Sequence, residues 1–256
     1  MEGITRASCS LHGLSTSLPL RLSRPALTFT RGSHRLPLKS YSGTVVKLPQ
    51  LRVQASQAPA ATEGKEMVGS EKVAESLKSV EVLDLEGRSI PVTDLWKDRR
   101  VVVGFTRHFG CVLCMKRADL LASCKEEFDA ANVSLIIIGP GKVEQAKTFA
   151  VDKKFPGEIY ADPNAATHRA LEFVSGVGST FSLSSGLKVI SAYLEGYRQD
   201  WGLSFDKDTR SKGGWQQGGV LVAGPGRENI VYLFKDAEAG DEPNMDDLVK
   251  AACGKA

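Results

Sequence analysis

The stretch RHFGCVLCMKRADLLA, Arg107 to Ala122, places two cysteines three residues apart. Just before it, Arg100 to Phe105 reads RVVVGF, three valines and a phenylalanine with no polar alternation. Such a run is expected of a strand buried on both faces. Just after it, the period becomes helical from Val112 to Phe128, with Leu113, Leu120, Leu121, Cys124 and Phe128 on one stripe. Strand, cysteine pair and helix follow one another directly. Cys-x-x-Cys at the front of the first core helix is the sequence sign of a thioredoxin-like fold.

The flanking segments extend this pattern. Val133 to Ile138 predicts a second buried strand, and Val143 to Phe155 a second helix with Val143, Ala146 and Ala150 inward. Ile159 to Ala161 predicts a short strand, and Ala165 to Phe173 a short helix. Gly176 to Gly186 reads as a Gly/Ser loop, and Val189 to about Trp201 as helical. Two hairpins are expected. One joins Val80–Leu85 to Ser89–Val92 through Glu86-Gly87-Arg88, and the other joins Val220–Ala223 to Ile230–Phe234 through Gly224-Pro225-Gly226. Glu71 to Leu77 leads in as a short helix, and Met245 to Cys253 closes as another, capped by Asn244 or Asp241. The order predicts an α/β fold: a central mixed sheet flanked by helices, with a parallel pair joined by a right-handed crossover.

A thiol is inert until ionised, and free Cys titrates near 8.5. Cys111 is expected at a helix start, where unpaired N–H groups and the helix dipole favour negative charge. Arg107, His108, Lys116 and Arg117 are the nearby cations. Cys111 is therefore expected to be the exposed nucleophile, and Cys114 the more buried partner that resolves a mixed disulfide or sulfenic acid. Two other readings compete. A zinc site needs four ligands, but Cys124 and Cys253 are isolated and adding His168 to His108 gives no recognised spacing. Two cysteines packed as small hydrophobes remain a second alternative. Cys124 itself falls on the apolar stripe and reads as core.

The chain carries 33 basic and 30 acidic residues, but the charge is uneven. Residues 1 to 60 hold eight basic side chains and one acid, leaving 25 basic and 29 acidic beyond. The body is mildly acidic, which speaks against a nucleic-acid partner. The longest aliphatic run, Leu135 to Ile138, is far short of the about 20 residues a bilayer span needs, so no membrane partner is expected. Residues 1–55 are rich in Ser, Thr and Arg and interrupted by Pro19, Pro25 and Pro37, the composition of an organelle transit peptide. The scattered prolines and hydroxyls fit a plastid better than the amphipathic helix of a mitochondrial presequence, with a disordered tail as the remaining alternative. The domain plan is a leader at 1–55, a linker and lead-in at 56–78, and a thioredoxin-like domain at 79–256. The expected location is the chloroplast stroma. Gly139-Pro140-Gly141-Lys142 and Gly176-Val177-Gly178 lack the context of phosphate or dinucleotide sites, so no cofactor and no metal are expected.

Arg107-His108-Phe109-Gly110-Cys111-Val112-Leu113-Cys114 with Asp119-Leu120, and Trp215-Gln216-Gln217-Gly218-Gly219 leading to Gly224-Pro225-Gly226, resemble the peroxiredoxin-like 2 family. Within that family, the similarity is to its plant chloroplastic branch with an AhpC/TSA domain. It spans about Val80 to Gly254. The resemblance implies a thioredoxin-like fold, a redox-active Cys111–Cys114 pair and an antioxidant role. Some animal members reduce prostaglandin-type endoperoxides. Departures are visible as well. Gly104 and His108 stand where peroxiredoxins place proline and threonine, and Gln217 stands at the place of a strand arginine. Gly218-Gly219 takes the place of the thioredoxin cis-proline, where a substrate backbone or bulky peroxide is expected to lie; a strand bulge is the alternative.

The expectation is thus a thiol-disulfide oxidoreductase that cycles Cys111–Cys114. Its reductant would be a thioredoxin or glutathione system, and its substrate a protein disulfide or organic peroxide. The rivals are a dedicated peroxide reductase with Cys111 peroxidatic, and a redox-sensing binding module with little turnover. Arg107 reads either as a residue tuning Cys111 or as a solvated strand end. Trp201 and Trp215 are candidates for a substrate cleft, with packing as the default.

Overall fold

Alternate residues of β3, Arg100–Phe105, are buried on opposite faces of a sheet. Val101, Val103 and Phe105 enter one apolar layer, while Val102 enters the other. Both layers are dry, which is why the sequence shows no polar alternation here. Each fully buried large side chain in these layers contributes about 1.5–3 kcal/mol of transfer free energy. The computed structural model describes residues 69–211 and 214–254. The expected leader at 1–55 lies outside them.

In chain order, α1 (Ser70–Leu77) precedes the hairpin β1 (Glu81–Leu83) and β2 (Ser89–Pro91). A 3-10 turn, Val92–Trp96, leads to β3, then α2 (Val112–Ser123), α3 (Lys125–Ala130) and β4 (Val133–Pro140). Next come α4 (Val143–Lys153), β5 (Glu158–Asp162) and α5 (Ala166–Ala170). Four helices then run between the sheet strands: α6 (Val177–Thr180), α7 (Leu183–Leu194), α8 (Trp201–Phe205) and α9 (Lys207–Ser211). The hairpin β6 (Gly219–Ala223) and β7 (Ile230–Lys235) and the helix α10 (Met245–Cys253) complete the described residues.

The strands form one sheet in the order β2-β1-β5-β4-β3-β6-β7. β3, β4 and β5 are parallel, and the remaining pairings are antiparallel. This is the expected mixed sheet, with parallel strands in the middle and hairpins at both edges. The turn Val92–Trp96, α1 and α5 cover the face that holds Trp96, Leu77 and Leu171. α2, α3, α4 and α10 cover the other face, with Leu121, Phe128, Phe149 and Leu248 buried. Among the described residues, no helix is long and apolar enough to cross a membrane.

Three sequence expectations are corrected. The single helix from Val112 to Phe128 is two helices, because Cys124 bonds back to Leu121 and Ala122 and tightens the last turn. Leu120 is consequently only half-buried, and Ala118 takes the core position. In α4 it is Phe149, with Ala146, that is buried; Val143 and Ala150 sit at its edge. The Gly/Ser stretch is not a loop. Ser182 accepts from the Ser185 N–H and caps α7, which starts at Leu183 and ends at Leu194, well before Trp201. Its apolar residues Leu183, Leu187, Ile190 and Leu194 follow helical spacing yet face solvent.

Candidate active site

From Thr106 to Gly110 the chain turns sharply off the end of β3, and α2 then begins. The Thr106 N–H still donates to Ile138 at 2.9 Å, and the Cys111 N–H donates to the His108 carbonyl at 3.3 Å. Cys111 is the N-cap of α2, and Cys114 lies in its first turn. Both thiols are free. The Arg107 backbone N–H donates to Cys114 Sγ at 3.2 Å, and Arg107 Nη1 lies 3.9 Å from Cys111 Sγ.

The two sulfurs are held in opposite states. The Cys114 thiol hydrogen-bonds to Cys111 and pushes the Cys111 thiol well below its usual range, against the effect of burial. The charge of Arg107 adds to the lowering. Cys114 is pushed well above its usual range, first by burial and then by its bond to Cys111. A thiol that ionises readily beside one that keeps its proton is the arrangement needed for attack followed by resolution.

Cys111 is not exposed as expected. It is 2% exposed and Cys114 6%. The cover comes from far along the chain. The Asp200 N–H donates to the Gly110 carbonyl at 3.0 Å, and Gln199 Oε1 accepts from the Val112 N–H at 2.8 Å. Val112, Leu113 and both cysteines form an apolar cluster with Ala192 of α7 and Ala239.

Of the four basic side chains expected near Cys111, Arg107 is the charged one that reaches it, while burial keeps His108 neutral. Lys116 pairs with Glu195 at 2.6 Å. Arg117 turns away and is bidentate on Asp236, at 2.9 and 3.0 Å, with Glu242 at 3.3 Å and the Asp241 carbonyl beside it. Arg107 is buried, so it is not a solvated strand end. Its Nη2 donates to the Gly214 carbonyl at 3.2 Å and to Thr180 Oγ1 at 3.4 Å. Gln217 is fully buried and donates to the same Thr180 hydroxyl at 3.0 Å.

A cavity of about 390 Å³ opens beside the pair. Arg107, His108 and Gln199 are among its polar walls; Phe181, Trp201, Phe205 and Trp215 are among its apolar walls. Both candidate tryptophans therefore belong to one cleft. Thr180, Phe181, Gln199 and Phe205 carried no sequence signal, because they come from short helices and connections whose local pattern says nothing of where they fold.

Two other candidates go elsewhere. His168 spends both ring nitrogens inside the protein, on the Thr106 carbonyl at 2.9 Å and Thr167 Oγ1 at 3.1 Å, so it does not join His108. The space at Gly218 and Gly219 is filled by the protein itself. A methyl group at Gly218 would strike the Phe105 carbonyl, and one at Gly219 the Phe234 carbonyl. Close strand packing accounts for both glycines.

An Arabidopsis thaliana protein named "Thioredoxin-like protein AAED1, chloroplastic" is 50% identical over 95% of this chain and 91% of its own length. The human protein "Peroxiredoxin-like 2C" is 30% identical over 70% of this chain and 79% of its own. The chain belongs to the peroxiredoxin-like 2 family. The model of the AhpC/TSA antioxidant enzyme family matches residues 120–238, which begin just beyond the cysteine pair. "Prostamide/prostaglandin F synthase" of Aquarana catesbeiana is 31% identical over 65% of this chain and 81% of its own. Thiol-dependent redox activity and a thioredoxin-like fold go with this family, and the first of these relatives matches the chloroplast location expected from residues 1–55.

Proposed function

We propose that the chain is a plastid thiol-dependent oxidoreductase in which Cys111 attacks an oxidised substrate and Cys114 resolves it. The observation that carries this reading is the geometry of the pair. Cys111 is the N-cap of α2 with Arg107 Nη1 3.9 Å from its sulfur, and Cys114 lies in the first turn with its sulfur accepting the Arg107 N–H at 3.2 Å. The opposite shifts of the two thiols agree with it. With a hydroperoxide ROOH, the Cys111 thiolate attacks the terminal oxygen. The S–O bond forms, the O–O bond breaks, and RO⁻ leaves and takes a proton from water. The Cys114 thiol then displaces hydroxide from the sulfenic acid as water, closing the disulfide. A thioredoxin or the glutathione system returns two electrons.

The cavity favours a small organic substrate over a protein disulfide. Its volume of about 390 Å³ falls in the range of small-ligand sites, and its aromatic walls suit an apolar body. Arg107 lines the cavity and approaches Cys111, and its Nε is buried without a hydrogen-bond partner among the described residues, leaving an unused donor on that side chain. The domain plan is proposed with the function: a leader at 1–55 is removed on import, and the segment 56–78 leads into the catalytic domain.

The test is equilibration of the protein in thiol/disulfide buffers, with alkylation and mass readout. Reversible two-electron oxidation confined to Cys111–Cys114, at roughly −300 to −120 mV, is expected. Absence of that disulfide at every poise would overturn the proposal. Turnover of cumene hydroperoxide against that of a protein disulfide then separates the two substrate classes.

A further inference from the structure

His108 shares its tight turn with Cys111, and its ring is buried in the wall of the cavity. The Gly110 backbone N–H donates to His108 Nδ1 at 3.2 Å. A backbone N–H is always a donor, so Nδ1 must be the acceptor and carries no proton. In the neutral ring the proton then sits on Nε2. Burial, the largest influence on this ring, keeps it neutral; the charge of Arg107 works in the same direction, while Cys111 and Asp200 work against it. Among the described residues no acceptor takes the Nε2–H. The turn thus holds an uncharged, unpartnered donor on a residue that lines the cavity, three positions before the nucleophile.

We propose that His108, as the Nε2–H imidazole, is a catalytic hydrogen-bond donor that holds the leaving atom of the substrate while Cys111 attacks. This rests on the reading of Cys111 as the nucleophile. When the thiolate attacks an O–O or S–S bond, an electron pair departs with the far atom as alkoxide or thiolate. A neutral imidazole does not surrender its proton, since that would create an imidazolate. Instead it donates a hydrogen bond that strengthens as negative charge builds on the leaving atom, and water supplies the proton after departure. A donor fixed before the reaction needs no reorganisation, and one such donor is worth about 10²–10³ in rate. Arg107 is turned to the nucleophile instead: its Nη1 faces the Cys111 sulfur and its Nη2 is spent on Gly214 and Thr180, leaving only its buried Nε unpaired.

The proposal makes the contribution of His108 depend on the leaving group. A leaving atom that bears its charge comfortably needs little help, whereas a basic one needs much. The experiment compares the single-turnover attack of the reduced full chain on an aromatic disulfide, whose thiolate leaves readily, with attack on bis(2-hydroxyethyl) disulfide, whose thiolate does not. Wild type, His108→Leu and His108→Gln are compared, with iodoacetamide alkylation of Cys111 as the control for nucleophile and access. For His108→Leu, the expected result is a loss of about 100-fold on the alkyl disulfide, and under about threefold on the aromatic disulfide and on iodoacetamide. His108→Gln keeps an N–H near the Nε2 position and should recover at least a tenth of the wild-type rate.

Equal losses on both disulfides, or a loss in alkylation as large as that on the alkyl disulfide, would overturn the proposal and leave His108 a structural part of the turn. No loss on the alkyl disulfide would overturn it as well. If His108→Leu does not fold, His108→Gln against His108→Asn carries the comparison, since Asn places its amide at the Nδ1 end; equal rates for the two would refute the assignment. These rates report a single attack by Cys111. They stand apart from the Cys111–Cys114 midpoint measurement, so failure of one is not mistaken for failure of the other.

Discussion

Replacing Arg117 by Met should be the most destabilising single change near the site. Its guanidinium is bidentate on Asp236, and the two side chains are only 6% and 3% exposed. Removing it leaves Asp236 buried without its cation and facing Glu242 and Asp241. At about 4 Å and an effective dielectric near 20, one such interaction amounts to about 4 kcal/mol. Breaking a buried pair from one side typically costs about 3–5 kcal/mol, which agrees. In a domain of this size that lowers Tm by roughly 6–20 °C.

The pH dependence identifies the cause. Burial already raises the Asp236 titration, and loss of Arg117 raises it further. The folded variant then holds a proton more tightly than the unfolded chain does. Its stability falls as pH rises through that raised value and recovers as pH falls below it. Urea unfolding of the reduced full chain at pH 7.5 and pH 5 should show the larger deficit at pH 7.5. The double variant Arg117→Met/Asp236→Leu should recover most of it. A deficit under about 1 kcal/mol, or one unchanged between the two pH values, would refute the argument that an unpaired buried carboxylate is responsible.

Three further outcomes are expected. Cys114→Ala should move the midpoint of Cys111 alkylation upward in pH, because the Cys114 hydrogen bond is the largest influence holding the thiolate; an unmoved midpoint would shift the weight to Arg107. Gly110→Ala would press a methyl group against Leu203 and Asp200, with Leu203 Cβ only 2.7 Å away; it should cost about 1–3 kcal/mol in unfolding and quicken alkylation of Cys111, and slower labelling would contradict the covering role of that loop. Burial lowers His168 to about 4. The neutral ring therefore supports the fold fully only above its unfolded value, and about 3 kcal/mol is lost as pH falls from 6.5 through 4. His168→Gln should flatten that part of the stability profile, as read by urea titration at matched pH.

The sheet was legible because its information is local. RVVVGF at Arg100–Phe105 and the Asn244-capped helix Met245–Cys253 carry period, length and cap in contiguous residues, and they fold as read. α7 was misplaced for the opposite reason. Gly186 and three serines dilute helix propensity, and its leucines obey helical spacing but are not buried. The cysteine pair is legible from its spacing between a buried strand and a helix start. Its burial is not, since the covering contacts join Gly110 to Asp200 and Val112 to Gln199, residues whose neighbours reveal nothing about each other. Arg107 was divided between two roles because a residue after a strand can point either way; only the cavity and Cys111 decide it. Lys116 and Arg117 are near the sulfurs in sequence but not in space, because their acidic partners, 79 and 119 residues onward, draw them away.

That 119-residue separation between Arg117 and Asp236 has a consequence during synthesis. A ribosome adds about 5–20 residues per second, so the partners of Arg117 emerge roughly 6–24 s after the cysteines. Over that interval α7 and the Gln199–Asp200 segment arrive too, and only then can the nascent thiols be covered. Until then they meet whatever oxidant or thiol shares their compartment. A chain passed unfolded through a membrane would repeat the same exposure on the far side. The dithiol is thus least protected at birth, and keeping it reduced falls first to the surrounding cell and only later to the fold.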